Sequence, residues 1–538
     1  MSPSSACWHQ PAAAARQILT TNGSRWAQRS LDVGARALYR VTPPHRTMAS
    51  SEPRRALTLA NINPHVKEAQ YAVRGELAVR SEEYRATLAK GEGKDLPFDT
   101  VIAANIGNPQ QLDQKPITFF RQVASLLENP LLLEHEEIFV KSLGYKSDVF
   151  ERARRLLKEI KSVGAYSQSQ GAPGIRESVA KYIERRDGYP ASFSDIYLSN
   201  GASSGVNTLL HIISASPNTG VMVPIPQYPL YTATLSVLNA KCVPYYLEES
   251  QAWSTSLEAI RTSYDKAIAE GTDVKAIAII NPGNPTGASL PAEDIKSVLK
   301  FAAEKSLVVI ADEVYQTNVF IGEFISFKKA LRDLQKEAPG KFDHIELASL
   351  HSISKGMVGE CGHRGGYLEL VGFDPEVVQQ IYKFISIQLC PPVIGQCIVE
   401  TMVNPPKEGE PSYELYKKEF DGIFNGLKER AYALYEAFKK MDGVECDKPQ
   451  VRLHVPLPDH QTARKGYRAG QEGEPLARRV LLLPHARRDG HLRRRGQRLR
   501  PEGGHAALPH DVFGTGDGLD GQDCQVPPGL HGRVQVSG

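Results

Sequence analysis

Several features that define whole classes of protein are missing from this 538-residue chain. It has no apolar run near the ~20 residues that a helix needs to cross a bilayer, so we predict no membrane association. Its seven cysteines form no C-x-x-C motif and no metal-like spacing, so we expect reduced, buried thiols and no metal site. Outside the two ends there is no cluster of basic residues, which argues against a nucleic-acid partner.

The formal net charge of +3 conceals three segments of different charge. Residues 1–50 hold six arginines, no lysine and one acid, and residues 451–538 hold thirteen arginines, one lysine and nine acids. The whole chain has 64 basic and 61 acidic residues. Residues 51–450 therefore hold 44 basic and 51 acidic residues. With 41% hydrophobic residues, the chain can bury a sizeable core. We expect the middle to be a mildly acidic globular body.

The N-terminal 50 residues are rich in alanine, serine and arginine, and Asp32 is their single acid. This composition is typical of an organellar transit peptide, because import favours basic amphipathic helices. We predict the mitochondrial matrix, with a plastid as an alternative; a disordered tail is the simpler interpretation. Met48 could begin a shorter chain that lacks this segment and stays in the cytoplasm.

From about residue 66 onward, short apolar runs alternate with helical stretches. Helices are expected between most of the strands, for example at 202–214, 292–305 and 375–387. Strands separated by helices imply an α/β fold with a mainly parallel sheet sandwiched by helices. Ligands of such sheets bind beyond the carboxyl ends of the strands. The predicted strands are 195–199, 220–223, 241–245, 274–280, 307–311, 344–350 and 366–370.

Polar side chains follow two of the central predicted strands. Asn284 lies in the loop 281–287, which two prolines and two glycines are expected to hold rigid. Asp312 directly follows the strand 307–311, where a buried carboxylate requires a cationic partner. Tyr315 comes three residues later.

Two further strands are followed by groups that suit an anion and a reactive carbonyl. Lys355 stands among small hydroxyl residues after the strand 344–350, with Ser352 before it and Arg364 nine positions after it. Ala202 and Ser203 follow the strand 195–199 and begin a helix, whose N-terminus can hold a phosphate.

Together these groups suit a ligand with one phosphate, a ring nitrogen that can carry a proton, a phenolic oxygen and an aldehyde. Pyridoxal 5′-phosphate has all four. Lys355 would be the catalytic residue and bind the aldehyde covalently, and Asp312 would keep the ring nitrogen protonated. The other predicted roles are donors to the ring hydroxyl (Asn284, Tyr315), phosphate ligands (Ser352, Arg364 and the backbone of Ala202 and Ser203) and a stacking ring (Tyr228).

Each of these residues has an ordinary structural explanation when it is taken alone. A lysine after a serine is usually a solvated surface residue, Asn-Pro is usually a turn, and Asp-Glu at a strand end is often a helix cap. Their joint occurrence after successive strands favours the cofactor site.

At these residues the chain resembles the fold-type I pyridoxal-phosphate aminotransferases, and within them the alanine aminotransferase group. The resemblance runs from about residue 57 to 450 and implies a large cofactor-binding domain at 121–395. It also implies an N-terminal arm with part of a small domain at 57–120 and the start of a C-terminal small α/β domain at 396–450, which is incomplete. The matching segments are 105–109, 114–119, 164–167, 183–190, 226–231, 281–287 and 359–367.

The resemblance also implies an assembly, a reaction and two more site residues. A homodimer is expected, with Tyr166 reaching the phosphate of the neighbouring subunit and Gly107 lying against the substrate. Gly107 could equally be an ordinary turn glycine. The implied ping-pong reaction converts L-alanine and 2-oxoglutarate to pyruvate and L-glutamate. Glutamate:glyoxylate aminotransferases share nearly all of these motifs, so that activity is an alternative.

After Gln450 the resemblance ends. Residues 451–538 contain no isoleucine and only two aromatic residues, which indicates either a disordered basic tail or a stretch translated in the wrong frame. The codons that 498–505 and 507–513 permit, read one nucleotide later, allow Gly-Phe-Gly-Gln-Lys-Glu-Gly-Thr and His-Phe-Arg-Thr-Thr-Phe-Leu, which resemble segments of the family. The arginine of the second segment binds the substrate α-carboxylate in that family. Its loss predicts a chain that holds the cofactor but transaminates poorly.

Overall fold

The computed structural model describes residues 56–71, 75–96, 98–102, 107–251, 253–441, 448–450 and 513–515. The chain divides into two units, residues 1–59 and 60–538, and the helices and strands of the described residues lie in the second unit. The predicted transit peptide, Met48 and all of the tail except 513–515 lie outside the described residues. The predicted domain limits at 57–120, 121–395 and 396–450 stay predictions.

Seven strands of the described chain form one sheet, in the order β2-β8-β7-β6-β5-β3-β4. Strand β8 is antiparallel to both of its neighbours, and the other neighbouring pairs are parallel. The mainly parallel sheet of the prediction is therefore confirmed. The strands are β2 (Ile196–Ser199), β3 (Thr219–Ile225), β4 (Lys241–Tyr246), β5 (Asp273–Ile280), β6 (Val308–Asp312), β7 (Leu347–Ser352) and β8 (Gly366–Val371), while β1 (Thr100–Ile102) pairs antiparallel with β9 (Phe513–Thr515) in a separate two-stranded sheet.

Helices occupy most of the chain between these strands. The three predicted helices at 202–214, 292–305 and 375–387 agree with α7, α10 and α12 to within one residue. The helices are α1 (Pro64–Glu68), α2 (Glu76–Ala89), α3 (Thr118–Glu128), α4 (Glu136–Ser142), α5 (Ser147–Ile160), α6 (Pro173–Asp187), α7 (Ala202–Ile213), α8 (Leu230–Val237), α9 (Leu257–Ala269), α10 (Ala292–Lys305), α11 (Phe327–Glu337), α12 (Pro375–Ser386), α13 (Val393–Val403) and α14 (Tyr413–Phe438).

Both faces of the sheet are covered, which explains why nearly all residues of its central strands are buried. Helices α9, α10 and α11 pack on one face, and α7, α8 and α12 pack on the other. A further apolar cluster joins α3, α5, α6 and α13. The sheet is thus held rigidly between two helical layers, and its strand ends are fixed points on which side chains can be placed.

Three details of the prediction are corrected. Strand β7 begins at Leu347 and ends at Ser352, because residues 341–344 form a turn and Ser352 still pairs with Gly366 of β8. Asp195 ends a 3-10 helix that Ser192 caps, so it precedes the strand. Of the described cysteines only Cys397 is buried; the others (Cys242, Cys361 and Cys390) are partly exposed.

No helix of the described chain is long and apolar enough to span a membrane.

Candidate active site

The carboxyl ends of three neighbouring strands meet at one edge of the sheet. Strands β5, β6 and β7 are parallel, and Asp312 pairs with Ile280 on one side and with Leu350 on the other. The segments that follow these strands therefore start side by side. They carry Asn284, Tyr315 and Lys355.

Asp312 is a buried carboxylate with one oxygen in use. Its Oδ2 accepts a hydrogen bond from the hydroxyl of Tyr231 at 3.1 Å, and its Oδ1 has no hydrogen-bond partner among the described residues. Burial raises the pKa of Asp312, and the Tyr231 hydroxyl, the Val314 amide and the Lys355 ammonium oppose that rise. A buried carboxylate with a free oxygen is stabilised by a protonated ring nitrogen.

Lys355 lies next to the residues that were predicted to bind the ring hydroxyl. Its Nζ is 5.3 Å from the centroid of the Tyr315 ring. The hydroxyl of Tyr315 accepts a hydrogen bond from Asn284 Nδ2 at 3.1 Å. These three side chains, which come from the ends of three strands, are therefore close enough to act on one small ligand.

The loop that carries Asn284 is closed by its own hydrogen bonds. The amide of Gly283 donates to the Ala288 carbonyl at 2.8 Å, and the amide of Gly287 donates to Gly283 at 3.0 Å. Asn281 Oδ1 accepts from the amide of Leu290 at 2.9 Å. This closed loop holds Asn284 in place, as the proline and glycine content predicted.

A second group of predicted site residues meets at the start of α7. Arg364 Nη2 donates to the Asn200 carbonyl at 3.0 Å and to Ser203 Oγ at 3.4 Å. Its Nη1 donates to the Cys361 carbonyl at 3.1 Å. Ala202 is the first residue of α7, so the guanidinium and the helix N-terminus present positive charge at the same place.

Ser352 also lies in this group, but its hydroxyl is engaged locally. Its Oγ donates to the Gly365 carbonyl at 3.2 Å and accepts from the amide of Ser354 at 3.1 Å. The pairing of Gly366 with both Ser199 and Ser352 brings β2, β8 and β7 together at this point. A phosphate would therefore compete with Gly365 for the Ser352 hydroxyl.

Tyr228 has a partner that the sequence did not suggest. Its hydroxyl is 2.6 Å from the hydroxyl of Tyr71, and the two rings meet edge to face at 6.3 Å. Burial and this contact both raise the pKa of Tyr228 above its ordinary value, so the phenol stays neutral. The chain that follows α1 thus packs against the predicted stacking ring.

The two residues assigned only from the resemblance lie at the edges of the site. Gly107 is buried, and its carbonyl is 3.9 Å from Cys361 Sγ, which donates to the Ser354 carbonyl at 3.2 Å. Tyr166 is 79% exposed and lines a cavity of about 400 Å³ together with Asn200. Gly107 is therefore close to the turn of Lys355, whereas Tyr166 points away from the core of its own chain.

A buried carboxylate that the prediction missed organises the segment before Arg364. Glu360 accepts from Arg121 through two hydrogen bonds of 2.8 and 2.9 Å. Its Oε2 also lies 2.9 Å from His363 Nδ1. The only hint in the sequence was an acid within a glycine-rich run, and nothing there pointed to Arg121 of α3. Tyr231 was also missed, although it lies within one helical turn of Tyr228.

The described residues fit pyridoxal 5′-phosphate on structural grounds. The unpartnered Asp312 oxygen suits a protonated ring nitrogen, and the N-terminus of α7 with Arg364 suits the phosphate. Lys355 beside Tyr315 suits the aldehyde and the neighbouring ring hydroxyl. No cluster of three or more possible metal ligands occurs in the described part of the chain.

A helix-covered parallel sheet with a lysine, an aspartate and an arginine at its carboxyl edge defines an α/β enzyme of the pyridoxal-phosphate type. A family model described as "Aminotransferase class I and II" matches residues 143–468. The chain belongs to this family, which depends on pyridoxal phosphate, and the predicted resemblance is confirmed.

The relatives narrow the group to the alanine aminotransferases. The chain is 51% identical over 420 residues to "Alanine aminotransferase, mitochondrial" of Saccharomyces cerevisiae, covering 77% of this chain and 71% of the relative. It is 48% identical to the "Inactive alanine aminotransferase" of the same yeast, covering 75% and 80%. An alanine aminotransferase structure from Pyrococcus furiosus has a TM-score of 0.56 at 22% identity, covering 73% of this chain and 83% of that one. The last comparison shows the fold alone.

Proposed function

We propose that this protein transfers an amino group between L-alanine and 2-oxoglutarate, forming pyruvate and L-glutamate, with pyridoxal 5′-phosphate bound to Lys355. The observation that carries the proposal is the cluster of Lys355, Tyr315 and Asn284 beside the buried carboxylate of Asp312. The names of the relatives, which are alanine aminotransferases, support alanine as the amino donor.

The residues of the site have two kinds of role, which are binding and proton transfer. When bound, the cofactor supplies an electron-withdrawing ring that makes the substrate α-proton acidic. Lys355 Nζ would hold the cofactor and, as a free amine, would take the proton from the substrate Cα. Asp312 keeps the ring nitrogen protonated, and Asn284 and Tyr315 orient the ring hydroxyl. Arg364 and the start of α7 neutralise the phosphate.

Assembly and location form part of the proposal. A homodimer would use the 79% exposed Tyr166 as a ligand of the partner's phosphate. The word "mitochondrial" in the names of the yeast and Dictyostelium discoideum relatives supports import into the matrix by the basic N-terminal segment.

A catalytically impaired product is the second candidate, and a specific observation favours it. The family model extends to residue 468, whereas the motifs that resemble the family stop at Gln450, whose carbonyl accepts from the amides of Phe320 and Ile321 at 2.8 and 3.3 Å. Its Oε1 also accepts from the amide of Ser289 at 3.3 Å, close to the loop of Asn284. The divergent tail therefore starts near the rim of the site, where a change of reading frame would remove the carboxylate-binding arginine.

One spectroscopic experiment separates these candidates. The purified 538-residue chain is loaded with pyridoxal 5′-phosphate, and the visible absorbance of the lysine-bound cofactor is recorded before and after L-alanine. Loss of that absorbance with alanine, and its return with 2-oxoglutarate, supports the transaminase. A faster return with glyoxylate than with an equal concentration of 2-oxoglutarate supports the glyoxylate enzyme.

Two other outcomes are informative. A visible absorbance that L-alanine leaves unchanged indicates that the cofactor site is intact and the substrate site is lost. A chain whose reading frame is shifted by one nucleotide at codon 450 should then respond to alanine. No visible absorbance in either chain would overturn the proposal.

A further inference from the structure

Two tyrosines beside the site are equally buried and make different contacts. Tyr231 of α8 and Tyr245 of β4 are 0% and 1% exposed. Tyr231 donates to Asp312 Oδ2 at 3.1 Å, whereas Tyr245 donates to the backbone carbonyl of Ala278 at 2.8 Å. They form a natural pair of test residue and control.

The contact of Tyr231 determines which oxygen of Asp312 is available to a ligand. The hydroxyl engages Oδ2, and Oδ1 has no hydrogen-bond partner among the described residues. A carboxylate at the end of a side chain can turn about its last bond. One buried hydrogen bond to one oxygen therefore restricts that rotation.

We propose that Tyr231 is a positioning residue that holds Asp312 with Oδ1 available to the ring nitrogen of the cofactor. This inference rests on the proposed function, because it assumes that pyridoxal 5′-phosphate binds at Lys355. Tyr231 itself touches neither cofactor nor substrate and acts through Asp312.

The charge around Asp312 supports the same role. Lys355 and the Val314 amide are the other groups that stabilise its negative charge, and the Tyr228 phenol also lies nearby. Burial raises the pKa of Asp312, so each donor that is removed moves the carboxylate closer to its neutral form. A neutral Asp312 cannot keep the ring nitrogen protonated. The Tyr231 hydroxyl therefore favours the ionised carboxylate that the chemistry requires.

The experiment compares cofactor binding in Tyr231→Phe and Tyr245→Phe, both in the full-length chain. Kd is measured for pyridoxal 5′-phosphate and for its 1-deaza analogue, in which a carbon replaces the ring nitrogen. The wild-type chain should prefer the natural cofactor, since only that ring can donate to Asp312. We expect Tyr231→Phe to reduce this preference about tenfold, the size of a lost hydrogen bond to a charged group. Tyr245→Phe should retain the preference.

Each outcome tests a definite step. If Tyr231→Phe keeps the wild-type preference, the positioning role is wrong even though the cofactor site stands. If both variants lose the preference for the natural cofactor equally, the effect comes from a general loss of packing at the site. The positioning role of Tyr231 is then also wrong. If the wild-type chain binds neither compound, or forms no visible absorbance with the natural cofactor, the proposed function fails as well. A pH titration of the absorbance of the bound cofactor gives a second readout. The midpoint of this titration should shift in Tyr231→Phe and not in Tyr245→Phe.

Discussion

The guanidinium of Arg364 lies in the space that a side chain on Gly201 would fill. Gly201 has a φ of +76°, and a Cβ placed there would overlap Arg364 Nη2. The same nitrogen donates to the Asn200 carbonyl and to Ser203 Oγ. The missing side chain at Gly201 therefore allows Arg364 to reach the N-terminus of α7.

Gly201→Ala should weaken binding of the cofactor phosphate. The new methyl group displaces Arg364, and we expect Kd for pyridoxal 5′-phosphate to rise about tenfold or more, as for the loss of a charged hydrogen bond. Gly188→Ala is the matched control, because Gly188 has a φ of +73° and no neighbouring atom within 4 Å of an added Cβ. Gly188→Ala loses about 1 kcal/mol of stability through left-handed backbone strain, and Gly201→Ala loses more, because its φ of 76° and ψ of 162° lie in a region that essentially only glycine adopts. Gly188→Ala should keep the wild-type Kd. Equal Kd values in the two variants would contradict the role of Arg364.

Lys355→Ala should abolish both the visible absorbance of the bound cofactor and any turnover, since Lys355 Nζ, beside the Tyr315 ring, is the amine that we expect to bind the aldehyde covalently. The control is Lys305→Ala, because Lys305 Nζ lies 5.3 Å from the Tyr264 ring centroid, the same distance that separates Lys355 from Tyr315. That variant loses a similar cation–ring contact and should keep the absorbance. Absorbance that survives in Lys355→Ala would show that another lysine binds the cofactor.

His351 should make the fold sensitive to acid. Burial lowers the pKa of His351 to about 3, from about 6.5 in an unfolded chain. Between these values the unfolded state binds one more proton, so stability falls as the pH drops, by at most about 1.4 kcal/mol per pH unit. Chemical denaturation at pH 7, 6, 5 and 4 should give a shallower fall in His351→Asn than in the wild type. Parallel pH profiles would mean that folding does not lower the pKa of His351.

Glu313 should have the opposite effect on the pH dependence of folding stability. Burial raises its pKa to about 8, above the ordinary value near 4.3. The folded state then holds a proton that the unfolded state has lost, so the contribution of Glu313 is fully present below pH 4 and is lost as the pH rises through 8. Glu313→Gln keeps an acceptor for the Phe327 amide, which now donates to Glu313 Oε1 at 2.8 Å. We expect that variant to lose less stability than the wild type when denaturation is followed from pH 5 to 8, and an unchanged slope would refute the raised pKa.

Much of the fold and of the predicted site could be recognised from local pattern. Strand β5 ends in the continuous apolar run 276–280, which is followed by a loop rich in proline and glycine, and both features are local. The order of strands in the sheet was not predicted, nor the antiparallel course of β8. Those features depend on which apolar faces pack together, and many strand orders satisfy the same alternation of helices and strands.

The sequence by itself determined the chemical groups of the site and the edge of the sheet where they would lie. Asp312 ends β6, and Asn284 and Lys355 follow β5 and β7. Parallel pairing brings residues at such positions to one edge. Only the tertiary structure decided what surrounds them. Tyr231 is 81 residues from Asp312, and Arg121 is 239 residues from Glu360. A buried polar group takes whichever donor the packing brings within about 3 Å, and no local pattern records contacts between such distant parts of the chain.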